Sequence, residues 1–114
     1  FGTGNAPSNP DGLLRVIREA KDRNILVVAV SQCLKGGAIL DKYELGRQFA
    51  LAGVVAGGDM TTEAVATKLM LLMGRYAEND KVARMFVTNM RGELSPPEQV
   101  QRKFYSKELL LSKL

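Results

Sequence analysis

The chain of 114 residues contains no histidine, no tryptophan and one cysteine, Cys33. Without an imidazole, neither a Ser-His-Asp nor a Cys-His catalytic set can be assembled from this sequence. A zinc site would have to be built from one thiol and carboxylates, a poor ligand set. A lone cysteine forms no intrachain disulfide, which fits a reducing compartment. Apolar runs are short: none approaches the roughly 18 residues of a membrane span, so no transmembrane helix is expected. The first residues, Phe1-Gly2-Thr3-Gly4-Asn5, lack the charged-then-apolar order of a signal peptide and read as a cut inside a longer polypeptide.

Charge is plentiful but unconcentrated. Sixteen Lys and Arg against 12 Asp and Glu give a net charge of +4, spread along the chain rather than gathered into the basic stripe of a nucleic-acid binder. A solvated surface is the favoured reading. With 46% apolar and 25% charged residues, the chain has the composition of one ordinary globular domain.

Helical and extended segments alternate. Asn9, Pro10 and Asp11 supply a cap, a first-turn proline and a dipole-matched acid. Leu13, Leu14, Ile17 and Ala20 then recur at helical spacing, and Asn24 offers a left-handed stop. Residues 25–30 (Ile-Leu-Val-Val-Ala-Val) form a continuous β-branched run, as expected of a parallel strand covered on both faces. Residues 31–37 are a loop at the end of that strand, where open α/β sheets bind ligands. A helix over about 42–52, a short strand at 54–56, a helix over about 61–73 ended by Gly74, and a helix over about 80–90 follow. The apolar stretch 69–73 is expected to be largely buried. Beyond Pro96 and Pro97, residues 98–114 show weak helical periodicity (Val100, Phe104, Leu111) and read as a helical extension or a partner-docking segment. The order implies an α/β domain over residues 1–97: a small parallel sheet flanked by helices in three layers, its first strand truncated at residues 1–5.

Four segments could carry chemistry. Gly2-Thr3-Gly4-Asn5 before a helix could hold an anion, but Pro7 stands where a dinucleotide fingerprint needs its third glycine, so a tight strand-to-helix turn is the favoured reading. Cys33 has no general base nearby, which favours a packed or ligand-touching thiol over a nucleophile. In the segment 57–63, Asp59 and Glu63 could serve metal or acid/base work, though capping of the next helix is favoured. Tyr43, on a helix just after the Cys33 loop, is either packing or function.

Together, Phe-Gly-Thr-Gly-Asn-Ala-Pro at 1–7, Glu-Ala-Lys-Asp-Arg at 19–23, Ser-Gln-Cys-Leu-Lys-Gly at 31–36, Ala-Gly-Val-Val at 52–55, Asp-Met-Thr-Thr-Glu-Ala at 59–64 and Arg-Gly-Glu-Leu at 91–94 resemble the C-terminal domain of type I (cytoplasmic-type) L-asparaginases over residues 1 to about 97. The chain is also similar to the asparaginase-like part of the mammalian lysophospholipase/asparaginase with ankyrin repeats, and more distantly to an archaeal amidotransferase subunit. The resemblance implies hydrolysis of L-asparagine to aspartate and ammonia, with no metal or organic cofactor. The catalytic threonines belong to the family's N-terminal domain, so Thr3, Thr61 and Thr62 are not expected to be nucleophiles. By the same resemblance, Tyr43 corresponds to a tyrosine reaching a neighbouring subunit's site, and Gly4, Asn5 and Cys33 fall at contacts of an allosteric asparagine site. Expected partners are the N-terminal domain, a second subunit of a homo-oligomer and L-asparagine, with neither nucleic acid nor membrane. Asn24 departs from the pattern, where glycine is usual. A stand-alone amino-acid-binding module is the alternative function. The compartment implied is the cytoplasm; Ser112-Lys113-Leu114 would be a peroxisomal address if it is the natural terminus.

Overall fold

The computed structural model describes residues 11–33, 37, 38, 40 and 44–96. Its elements run α1 (Asp11–Asp22), β1 (Val28–Ala29), α2 (Glu44–Leu51), β2 (Val55–Ala56), α3 (Thr62–Arg75) and α4 (Asn79–Phe86). β1 and β2 pair in parallel, Val28 opposite Val55 and Ala29 opposite Ala56. The ladder continues at both ends: the Val55 N–H donates to Val27 O at 2.9 Å and the Gly57 N–H to Ala29 O at 2.8 Å. A small parallel sheet flanked by helices is thus observed, as the sequence implies. The expected strands at 25–30 and 54–56 contract to their paired cores. The expected first strand at 1–5 lies outside the described residues.

The apolar run in the first strand serves two cores. Val27 and Ala29 pack with Leu14, Ile17, Phe49, Ala52 and Val54, whereas Leu26, Val28 and Val30 face Met60, Val65, Leu72, Val82 and Phe86. Successive strand side chains point to opposite faces. A strand between two helical layers therefore has no polar side, which is why the run lacks alternation.

Both helices of the first layer end the same way. After α1, the Ile25 N–H bonds Ala20 O at 2.8 Å and the Asn24 N–H bonds Lys21 O at 2.9 Å. After α2, Val54 N–H reaches Phe49 O and Gly53 N–H reaches Ala50 O, each at 3.0 Å. These paired bonds form the Schellman stop, whose hinge residue is left-handed. Asn24 has φ 58° and Gly53 has φ 101°. Each stop reverses the chain directly into the sheet.

Three expectations need correction. Gly74 lies inside α3, which runs to Arg75 with the Tyr76 N–H still bonding Leu72 O at 2.9 Å; a glycine without a left-handed φ ends nothing. The stretch 69–73 is not largely buried: Leu72 is fully enclosed, but Met70, Leu71 and Met73 are 75%, 55% and 59% exposed, because only one face of α3 meets the sheet. α4 stops at Phe86 rather than running to 90. The Thr88 hydroxyl donates back to Arg84 O at 3.0 Å, and the residues beyond turn inward to make an ionic clasp.

Candidate functional site

The C-terminal edge of the two strands is lined by the start of the loop after β1, the turn 57–60 and the segment 94–96. These pieces are tied by backbone rather than by catalytic side chains. Ala38 bridges Gly58 in antiparallel sense, its N–H donating to Gly58 O at 2.6 Å. Gly37, at φ 61°, passes so near that a Cβ there would overlap the Gly58 carbonyl. Here glycine is required by both conformation and space.

Cys33, three residues after the apolar run, stands at this edge with its side chain exposed. Its N–H donates to the Ser31 hydroxyl at 3.1 Å, closing a local turn. The other sequence-singled residues, Gly4, Asn5 and Tyr43, lie outside the described residues.

In the segment 57–63 the carboxylates have separate tasks. Asp59 Oδ1 accepts the Ser95 N–H at 2.9 Å and so pins the segment after α4 to the sheet edge. Thr61 caps α3 by accepting the Ala64 N–H at 3.2 Å. Glu63 sits exposed in the first turn, where its charge suits the helix dipole. Among the described residues no three His, Cys, Asp or Glu side chains gather where they could hold a metal ion.

The most organised polar group in the described residues is one that sequence reasoning missed. Lys68, 6% exposed, lies on the inner face of α3. Its ammonium donates to Thr88 O at 2.6 Å and to the Glu93 carboxylate, and stands 5.7 Å from the Phe86 ring centroid. Glu93 also accepts the N–H groups of Met90 and Arg91, at 3.0 and 2.6 Å to its nearer oxygens. Burial pushes its acidity the other way, yet the Lys68 hydrogen bond and the backbone N–H groups of Glu93, Arg91 and Met90 together lower its pKa from 4.5 to about 2. The signal was available: Lys68 falls between Val65 and Leu72 on the apolar stripe, where an unpaired charge is costly. With its cation engaged, the clasp joins α3 to the segment 88–94. It is built to hold a chain, not to react.

The chain matches the Glutaminase/Asparaginase C-terminal domain over residues 1–86. That covers more than half of its length. The chain belongs to this asparaginase C-terminal domain family. It is 40% identical over 98 residues to L-asparaginase 1 of Escherichia coli (strain K12), covering 86% of this chain and 29% of that protein. It is 38% identical over 104 residues to the 60 kDa lysophospholipase of Homo sapiens, covering 90% of this chain and 18% of that protein. The solved structure of the thermostable L-asparaginase from Thermococcus kodakarensis superposes with a TM-score of 0.76 at 38% identity, over 84% of this chain and 29% of that one. The chain thus spans less than a third of the length of these relatives. No described helix is long and apolar enough to cross a membrane.

Proposed function

We propose that this domain works as the C-terminal part of an L-asparagine amidohydrolase giving aspartate and ammonia. The observation that carries the reading is the 40% identity to L-asparaginase 1 across 86% of the chain. The chemistry of the described residues supports a division of labour: they contain a rigid α/β frame and an internal clasp, but no base beside a nucleophile. An N-terminal domain supplies the attacking threonine. This domain supplies the surface against that domain and against a second subunit of a homo-oligomer. Within this reading, Tyr43 reaches the neighbouring subunit's site, and Gly4, Asn5 and Cys33 contact an effector asparagine. The compartment we infer is the cytoplasm, with the peroxisome as the alternative that deletion of Leu114 in a fluorescent fusion tests.

A chimera tests the function directly. Replacing the C-terminal domain of E. coli L-asparaginase 1 with this chain should retain asparagine hydrolysis, and Tyr43→Phe in the chimera should lower kcat by tenfold or more. A chimera that folds and assembles but releases no ammonia would overturn the assignment. Calorimetry of the chain alone separates the other reading: strong asparagine heat with no activity in the chimera would favour a stand-alone amino-acid-binding module.

A further inference from the structure

The turn from β2 to α3 is fixed at its base and held at its tip from two sides. At the base, the Gly57 N–H belongs to the sheet ladder through Ala29 O, and the Met60 N–H closes on Gly57 O at 3.2 Å. Met60 itself is buried. Between these anchors stand Gly58 and Asp59, and each carries one contact to either side. The Gly58 carbonyl accepts the Ala38 N–H, while a Leu94 methyl lies 2.5 Å from where a Cβ at 58 would stand. Asp59 presents its backbone to Gly37, where a Cβ would lie 2.9 Å from the Asp59 Cα, and its Oδ1 to the Ser95 N–H. One neighbour of the tip is thus Gly37 and Ala38, which follow Cys33 and the first strand. The other is the segment 88–96.

We propose that the segment 88–96 is a strap whose docking sets the position of Gly37 and Ala38, transmitted through the tip at Gly58 and Asp59. The strap has no helix or strand of its own, so its place depends on ties to other parts of the chain. Lys68 grips Thr88 O and the Glu93 carboxylate from inside, Met90 and Leu94 pack on the α3/α4 core, and Asp59 takes the Ser95 N–H. An irregular segment held in this way opens locally at lower cost than the helices and strands beneath it. Lifting it withdraws the Leu94 methyl and the Ser95 N–H together. The tip, with Gly58 at φ 60°, then loses two contacts that keep its carbonyl aimed at Ala38. The effect runs both ways, as linkage requires: whatever displaces Gly37 presses on the Gly58 carbonyl and the Asp59 Cα, and so on the strap. Ligands of open α/β sheets bind at this edge of the strands, so the strap is a control on that edge applied from the far side of the turn. The coupling needs no ligand and stands apart from the effector role proposed for Cys33.

Amide hydrogen exchange, read by NMR in the full chain, tests the coupling in both directions. Ser95→Pro deletes the donor to Asp59 and should speed exchange of the Ala38 N–H about tenfold or more. The Val55 N–H, bonded to Val27 O in the sheet, should change less than about twofold in the same variant. Asp59→Ala should act likewise, whereas Asp59→Asn keeps an acceptor oxygen and should hold Ala38 within about threefold of the parent rate. Leu94→Ala keeps every backbone donor and should give a smaller rise at Ala38, about threefold. In the opposite direction, Gly37→Ala should speed exchange of the Ser95 N–H about tenfold or more, since its Cβ would overlap the Gly58 carbonyl. Equal acceleration at Ala38 and Val55 would mean that the variants loosen the whole domain, and would overturn the proposal. So would an Ala38 rate that none of the strap variants changes, or a Ser95 rate indifferent to Gly37→Ala.

Discussion

The two helical layers on either side of the sheet are built to different depths. On the α1/α2 side the buried apolar residues retain 4–8% exposure: Leu14, Ile17, Phe49, Ala52 and Val54. On the α3/α4 side, Met60 and Val65 at the edge retain 3% and 6%, but the centre goes deeper: Leu72 and Phe86 are fully enclosed, Val82 is 1% exposed, and a lysine is sealed beside them. The shallow layer relies on two Schellman stops that turn each helix straight into the sheet. The deep layer relies on a clasp that draws a separate segment over the core. Order in the first layer is thus local in sequence, whereas in the second it is tied by a contact 25 residues apart, Lys68 to Glu93.

The largest test of that difference is truncation of one phenylalanine in each layer. Phe86→Ala should cost about 4–5 kcal/mol and Phe49→Ala about 3 kcal/mol, since an enclosed site relaxes less around a cavity. Chemical denaturation followed by far-UV circular dichroism checks both. Equal losses would mean the layers share one depth.

Next in size is the clasp. Lys68→Ala leaves the Glu93 carboxylate and Thr88 carbonyl without their cation and should cost about 3 kcal/mol. Lys68→Met with Glu93→Gln should recover part of it, because removing both charges leaves no uncompensated ion. A double-mutant cycle reads the coupling. Coupling near zero would reduce the clasp to two independent contacts.

The clasp also carries a pH dependence. Glu93 is more acidic folded than unfolded, about 2 against 4.5. Its contribution is therefore complete above pH 4.5 and is lost as pH falls toward 2. With its side chain 15% exposed and screened by solvent, the loss should be about 1–2 kcal/mol. Glu93→Gln should flatten that part of the stability–pH curve, and an unchanged acid limb would contradict the assignment.

How much of this was legible in the sequence depended on range. Helices α1, α2 and α3 and both strands were visible because a single stripe, a β-branched run or a stop residue announces each. The burial of 69–73 was misjudged because an apolar stretch states what dislikes water, not which face meets a partner. Gly74 was misread because a glycine ends a helix only when its φ is positive, which composition does not record. The clasp was missed for a different reason. Arg91-Gly92-Glu93 breaks every periodic pattern, and its meaning lies in a lysine that only the fold brings near. Of the site residues, Cys33 was placed at the sheet edge from the strand before it, while Gly4, Asn5 and Tyr43 rest on family resemblance.

The smallest effect concerns the two matched stops. Gly53 holds φ 101° at no steric cost and cannot be replaced freely, because a residue with a Cβ is strained in that left-handed conformation, whereas the flexible Lys21 side chain 2.7 Å from an added Cβ could move aside. Asn24 holds φ 58° as a residue with a Cβ, in the same motif. It also has a reason to be asparagine: the Asn79 side-chain amide donates to the Asn24 carbonyl and, at 3.4 Å, to the Asn24 Oδ1. Glycine at 24 would relieve the left-handed conformation by up to about 1 kcal/mol and keep the carbonyl contact. It would lose only the long side-chain bond and gain freedom in the unfolded chain. Asn24→Gly should therefore stabilise the chain by about 0.5 kcal/mol, and Gly53→Ala should destabilise it by more than 1 kcal/mol. A loss of stability in Asn24→Gly would show that the asparagine is kept for its link to α4, making the α1 stop part of the deep layer's wiring after all.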